Sequence, residues 1–120
     1  MTFEHVGDAF LLYEQRSWLV PGDEPSHVER GFLRPGGRGR AELTLAHPLG
    51  LVEVAEGPIE DTSIELTSTM IGHTSTGSAV TELRRRYTVD GDLLRYELLM
   101  GMREVPLAPH LRGELRRVTG

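Results

Sequence analysis

Five histidines are the residues of this chain best suited to bind a metal or move a proton near neutral pH, and their settings differ. His5 stands beside a turn on a short N-terminal strand, and His73 lies in a Gly/Ser/Thr-rich loop, so both are expected at the surface. His27 and His47 each fall at a strand end next to a turn. No two of the five have zinc-ligand spacing, and neither a His-Glu-x-x-His motif nor a carboxylate cluster supports a zinc site. Cysteine is absent, which removes disulfides, thiolate nucleophiles and cysteine metal sites. Ser17, Ser63, Ser68 and Ser78 lack a nucleophile-elbow context, and no glycine run forms a phosphate loop between a strand and a helix.

His110 has different surroundings. It lies in Pro106-Leu107-Ala108-Pro109-His110-Leu111, directly after the apolar run Leu98-Leu99-Met100-Gly101-Met102. The two prolines stiffen the approach and predict a turn that delivers the imidazole to the mouth of a last strand. An isolated imidazole in an apolar cavity is a poor zinc site. It suffices as an axial ligand for haem iron, because the porphyrin supplies the other four nitrogens. The residues alone leave that reading open beside a purely structural one.

The elements that must position these side chains are strands. Short apolar or alternating runs separated by turn residues predict an all-β, antiparallel up-and-down barrel of about nine strands, with no convincing helix. Arg40 to Ala46 alternates cleanly, His47-Pro48-Leu49-Gly50 turns the chain, and Leu111 to Val118 reads as the closing strand. Pro35-Gly36-Gly37 and Asp90-Gly91 are hairpin signals, since glycine supplies the positive φ of tight turns. The stretch from Gly72 to Ser78 reads as loop. The 120 residues form a single domain, without repeat or linker.

The net charge of −5 argues against nonspecific nucleic-acid binding. Arg84-Arg85-Arg86 looks basic, but in a strand Arg85 points away from its neighbours, so a solvated or salt-bridged face is expected. All 13 basic residues are arginine. No stretch approaches the roughly 18 apolar residues of a membrane helix, and no secretory signal is visible, so a cytoplasmic protein is expected.

Several pieces, in order along the chain, resemble the nitrobindin family of small haem-binding β-barrels, which share their shape with fatty-acid-binding proteins of the calycin type. They are Thr2 to Gly7, Leu12 to Trp18, His27 to Pro35, Glu42 to Val54, Leu83 to Tyr87 with Asp90 to Tyr96, and Pro106 to Leu111. The resemblance implies one haem b per chain, with His110 as the proximal ligand of ferric iron. It implies Met100 as a pocket position beside the macrocycle, and His27 and His47 near the open face of the haem. It also implies nitric oxide binding and conversion of peroxynitrite to nitrate, by a monomer or homodimer with no membrane or nucleic-acid partner. The family's opening G-x-W-x-G-x-G motif, on a first strand that also carries a haem-contacting threonine, does not appear here. A shortened barrel with two unpaired edges is therefore expected, which leaves the proximal ligand in place. The alternative from a different class is a carrier of a fatty acid or other small apolar ligand, without haem chemistry.

Overall fold

The computed structural model describes residues 1–5, 9–18 and 25–118; the side chains of 18 and 25–27 lie outside that description. Nine strands follow one another: β1 (Thr2–His5), β2 (Leu11–Trp18), β3 (Pro25–Pro35), β4 (Arg40–His47), β5 (Leu51–Glu60), β6 (Ser63–His73), β7 (Val80–Asp90), β8 (Leu93–Met102) and β9 (Val105–Arg116). Each pairs antiparallel with the next in a single sheet of order β1 to β9. Among the described residues β1 pairs only with β2 and β9 only with β8, so the sheet has two edges. The expectation of an open seam is met.

Alternation explains which face is inside. In β4, Ala41, Leu43, Leu45 and His47 are buried while Thr44 and Ala46 are exposed, the two-residue period of a strand with one wet face. The buried faces meet because the sheet curls. Tyr13 on β2 and Tyr87 on β7 are five strands apart, roughly 24 Å in a flat sheet. Their ring centroids are nevertheless 6.1 Å apart. Glycine permits this curvature at Gly31 and Gly57, where a Cβ would come within 1.8 Å of the carbonyl oxygens of Thr44 and Glu65.

The apolar core has two clusters. One joins Leu43, Leu45, Ala55 and Leu66 to Tyr13 and Tyr87, and the other gathers Leu51, Val80, Leu83 and Leu98. At about 1.5–3 kcal/mol per buried aliphatic side chain, these clusters are the main stabilising contribution. Turn chemistry follows the glycines: Gly39, Gly50 and Gly91 all have positive φ.

Two boundaries differ from the sequence expectation. β6 continues to His73, shortening the loop predicted from Gly72. The prolyl turn before His110 is itself strand, since β9 begins at Val105 and runs through both prolines. A strand with one paired side tolerates proline, whose missing N–H costs nothing where no neighbour accepts it. Of the turn that the sequence predicts over Val6 to Ala9 and the loop over Pro21 to Ser26, residues 6–8 and 21–24 lie outside the described residues, and Pro25 and Ser26 already belong to β3.

Candidate functional site

His110 is the extra residue of a β-bulge. Leu98 pairs with Leu111 and Leu99 with Pro109, leaving His110 without an opposite number on β8. Bulges of this kind re-aim a side chain out of the ladder. The residue is exposed, and its ring makes no hydrogen bond or ion pair among the described residues. Next to it, half-buried Leu111 packs with Met100 and Ile71 against the Leu51–Val80–Leu83–Leu98 cluster. Met100 pairs with Ala108, two residues before His110. An unengaged imidazole therefore borders an apolar wall.

The other histidines are engaged. His73 is exposed as expected, but a ring nitrogen is hydrogen-bonded with the carbonyl of Val80 at 2.7 Å. His5 is exposed on β1 and also has interactions. His47 is buried, with Nε2 3.0 Å from Glu53 Oε1 and Nδ1 3.9 Å from Glu29 Oε2. The backbone of His27 pairs with Ser17 on β2; its side chain lies outside the described residues.

Around His47 lies a polar cluster that the sequence reading did not assemble. Arg85, expected on a solvated or salt-bridged face, is 2% exposed in the interior. Its Nε donates to Glu53 Oε2 at 2.9 Å, and Nη2 donates to Glu53 Oε1 at 2.8 Å and to Glu29 Oε2 at 2.7 Å. Nη1 donates to Glu29 Oε1 at 2.6 Å and to the Tyr87 hydroxyl at 3.4 Å. These contacts use the whole guanidinium fork. Tyr13 donates to Glu29 Oε1 at 2.8 Å and lies 3.0 Å, oxygen to oxygen, from Tyr87. Gln15 Nε2 donates to the Tyr96 hydroxyl, spanning from β2 to β8.

Burial opposes ionisation of Glu53, but the hydrogen bond with His47 and the charge of Arg85 together hold its carboxyl below the usual range. For Arg85, burial works against the charge and is outweighed by Tyr87, Glu29 and Glu53, which hold the guanidinium firmly protonated. Burial pushes the Tyr13 and Tyr87 hydroxyls upward, so both remain neutral donors. The charged groups and the phenols of Tyr13 and Tyr87 answer one another and tie β2, β3, β4, β5 and β7 together, while Gln15 Oε1 is buried without a hydrogen-bond partner among the described residues.

A cavity of about 870 Å³ opens at the end of the sheet carrying the Asp61-Thr62 and Gly91-Asp92 turns. Tyr13, Leu43, Ile64, Tyr87, Leu94 and Leu115 line it, while His110, Met100 and His47 do not. His110 is five residues along β9 from Leu115, roughly 16 Å of strand.

A haem is held by an axial protein ligand, for which an imidazole nitrogen suffices, and by apolar surface for the macrocycle. His110 with the half-buried Met100 and Leu111 supplies both kinds of group on the β8–β9 wall. Among the described residues no group of three or more His, Cys, Asp or Glu could hold a bare metal ion. The donor set fits a macrocycle carrying its own four nitrogens.

Residues 1–117 match the family model described as a THAP4-like, heme-binding beta-barrel domain. The chain is 40% identical to the peroxynitrite isomerase of Nocardia farcinica over 121 residues, covering 98% of this chain and 72% of that protein. It is likewise 40% identical to peroxynitrite isomerase 2 of Mycobacterium avium, covering 75% of that protein. The crystal structure of Rv2717c from M. tuberculosis superposes with a TM-score of 0.87 at 40% identity, over 98% of this chain and 77% of that one. By sequence and by fold, the chain belongs to the THAP4-like haem-binding β-barrel family, the nitrobindins that its motifs resemble.

Proposed function

We propose that this chain binds one haem b through His110 and converts peroxynitrite to nitrate. The observation that carries the reading is the bulged imidazole of β9, which is unengaged and borders apolar side chains in a chain of a haem-binding family. Bound haem would supply a ferric iron as the reactive centre for peroxynitrite or nitric oxide.

The protein's part is to bind, orient and exclude water. His110 contributes one ring nitrogen, which must be unprotonated to ligate, so acid competes with haem uptake. The prolines on either side of Ala108 restrict the backbone that carries it. Met100 and Leu111 offer polarisable and aliphatic contacts to one side of the macrocycle. His47 acts from the wall, where its hydrogen bond with Glu53 limits how the ring can turn. His27 completes the reading as a polar residue toward the open face. An apolar surround slows escape of reactive fragments and so favours nitrate as product. The reading places the chain in the cytoplasm, as a monomer or homodimer handling small molecules.

The test is the nitrate yield and peroxynitrite decay rate of the haem-loaded chain, compared with equimolar free haem and with His110→Ala. Decay faster than with free haem, and lost in the variant, supports the assignment. Equal rates for all three refute it.

A further inference from the structure

We propose that the 870 Å³ cavity is a second binding compartment, for an uncharged, elongated apolar molecule, and that it can be filled while haem is held at His110. The interior is divided across its width. From β2, Tyr13 reaches Tyr87 on β7 and Gln15 reaches Tyr96 on β8. Behind the tyrosines stand Glu29, Arg85 and Glu53. On one side of this layer lie Leu98, Met100, Leu111 and the His110 bulge; on the other lies the cavity. The volume falls within the roughly 300–1,000 Å³ of small-molecule sites.

The lining selects the class of ligand. Leu33, Leu43, Ile64, Leu94 and Leu115 form aliphatic walls. At the floor the two lining hydroxyls are already spent: the Tyr13 proton goes to Glu29, so the Tyr87 proton is directed at the Tyr13 oxygen. A carboxylate driven to that depth would find no free proton on Tyr13 or Tyr87 and would approach the Glu29 carboxylate, a desolvation cost without return. At the mouth Glu60, Asp61 and Asp92 stand with Arg116 and Arg117, so the charges there give an anion no net advantage. Thr62 and Ser63 offer hydroxyls to a neutral polar head. The chemistry is that of a fatty alcohol or similar neutral lipid, and it differs from that of a fatty-acid anion.

Calorimetric titration of the full chain with 1-decanol and with decanoate, before and after saturation with haem, tests this. The expected result is one decanol per chain with the same affinity in both forms, and decanoate weaker by about tenfold, the equivalent of about 1.4 kcal/mol. Leu94→Trp and Ile64→Trp fill the cavity and should weaken decanol about tenfold while haem uptake is retained. His110→Ala should lose haem and keep decanol. No saturable decanol binding, displacement of decanol by haem, or tighter binding of decanoate would overturn the proposal. The wild-type comparison with and without haem needs no variant to fold. Loss of haem binding with decanol binding intact would refute the haem reading alone.

Discussion

The Arg85 cluster and the β8–β9 edge treat their polar groups in opposite ways. In the cluster, one guanidinium, two carboxylates, two phenols and an imidazole are packed so that each answers another across five strands. At the edge, a single imidazole is lifted out of the ladder by a bulge, preceded by two prolines and left without a described partner. A buried charge must be paired or it destabilises the fold, so the first region is committed to structure. An exposed imidazole beside apolar surface contributes little to structure and is available to a ligand. Stability and cofactor binding should therefore separate by mutation.

The largest expected effect follows from Arg85→Ala, which strands two buried carboxylates. Removing one partner of such a group costs about 3–5 kcal/mol, so the urea midpoint should drop steeply and the chain should verge on unfolding. A midpoint within error of wild type would show that the interior pairing is not what holds these strands. Gly31→Ala should also be severe, because the new Cβ would collide with the Thr44 carbonyl. Proteolysis of the folded chain would reveal it as a loosened β3–β4 pair.

Tyr13→Phe removes one donor to Glu29 and leaves the rest of the cluster, and should cost about 1–3 kcal/mol. Acid probes the same region. The Glu53 carboxyl is held below its unfolded value of about 4.3, so the unfolded chain binds the proton more readily in that window. Its contribution is complete above that pH and is lost as pH falls through the lower, folded value. Urea midpoints between about pH 3 and 6 should show this loss in wild type and a shallower one in Glu53→Gln. Parallel curves would assign acid sensitivity elsewhere. The smallest change in stability, within about 0.5 kcal/mol, is expected for His110→Ala, as for other exposed positions.

Much of this fold was legible in the sequence because strand signals are local. The alternation of Arg40 to Ala46 and the Asp90-Gly91 turn appear in the structure where periodicity and positive φ place them. Three other features were not. Proline in Pro106 and Pro109 signals a turn on local grounds, and only the edge position of β9 explains why strand continues through both. The polar cluster escaped because charge in a strand normally marks the wet face. A signal was present: Glu53 alternates with Leu51 and Ala55, and Arg85 with Leu83 and Tyr87, all of them buried. Opposite charges on two apolar faces foretell an interior pair, but which strands bring them together depends on the curl of the whole sheet. For His110 the flanking residues were legible and the bulge was not, since register belongs to the β8–β9 pair.

The most direct test of the central claim is a haem titration followed at the Soret band, on wild type and His110→Ala, with urea midpoints taken on the same samples. The account predicts a saturable one-to-one shift in wild type, lost in the variant, with unfolding midpoints that coincide before haem is added. Equal haem uptake by a folded His110→Ala chain would contradict it.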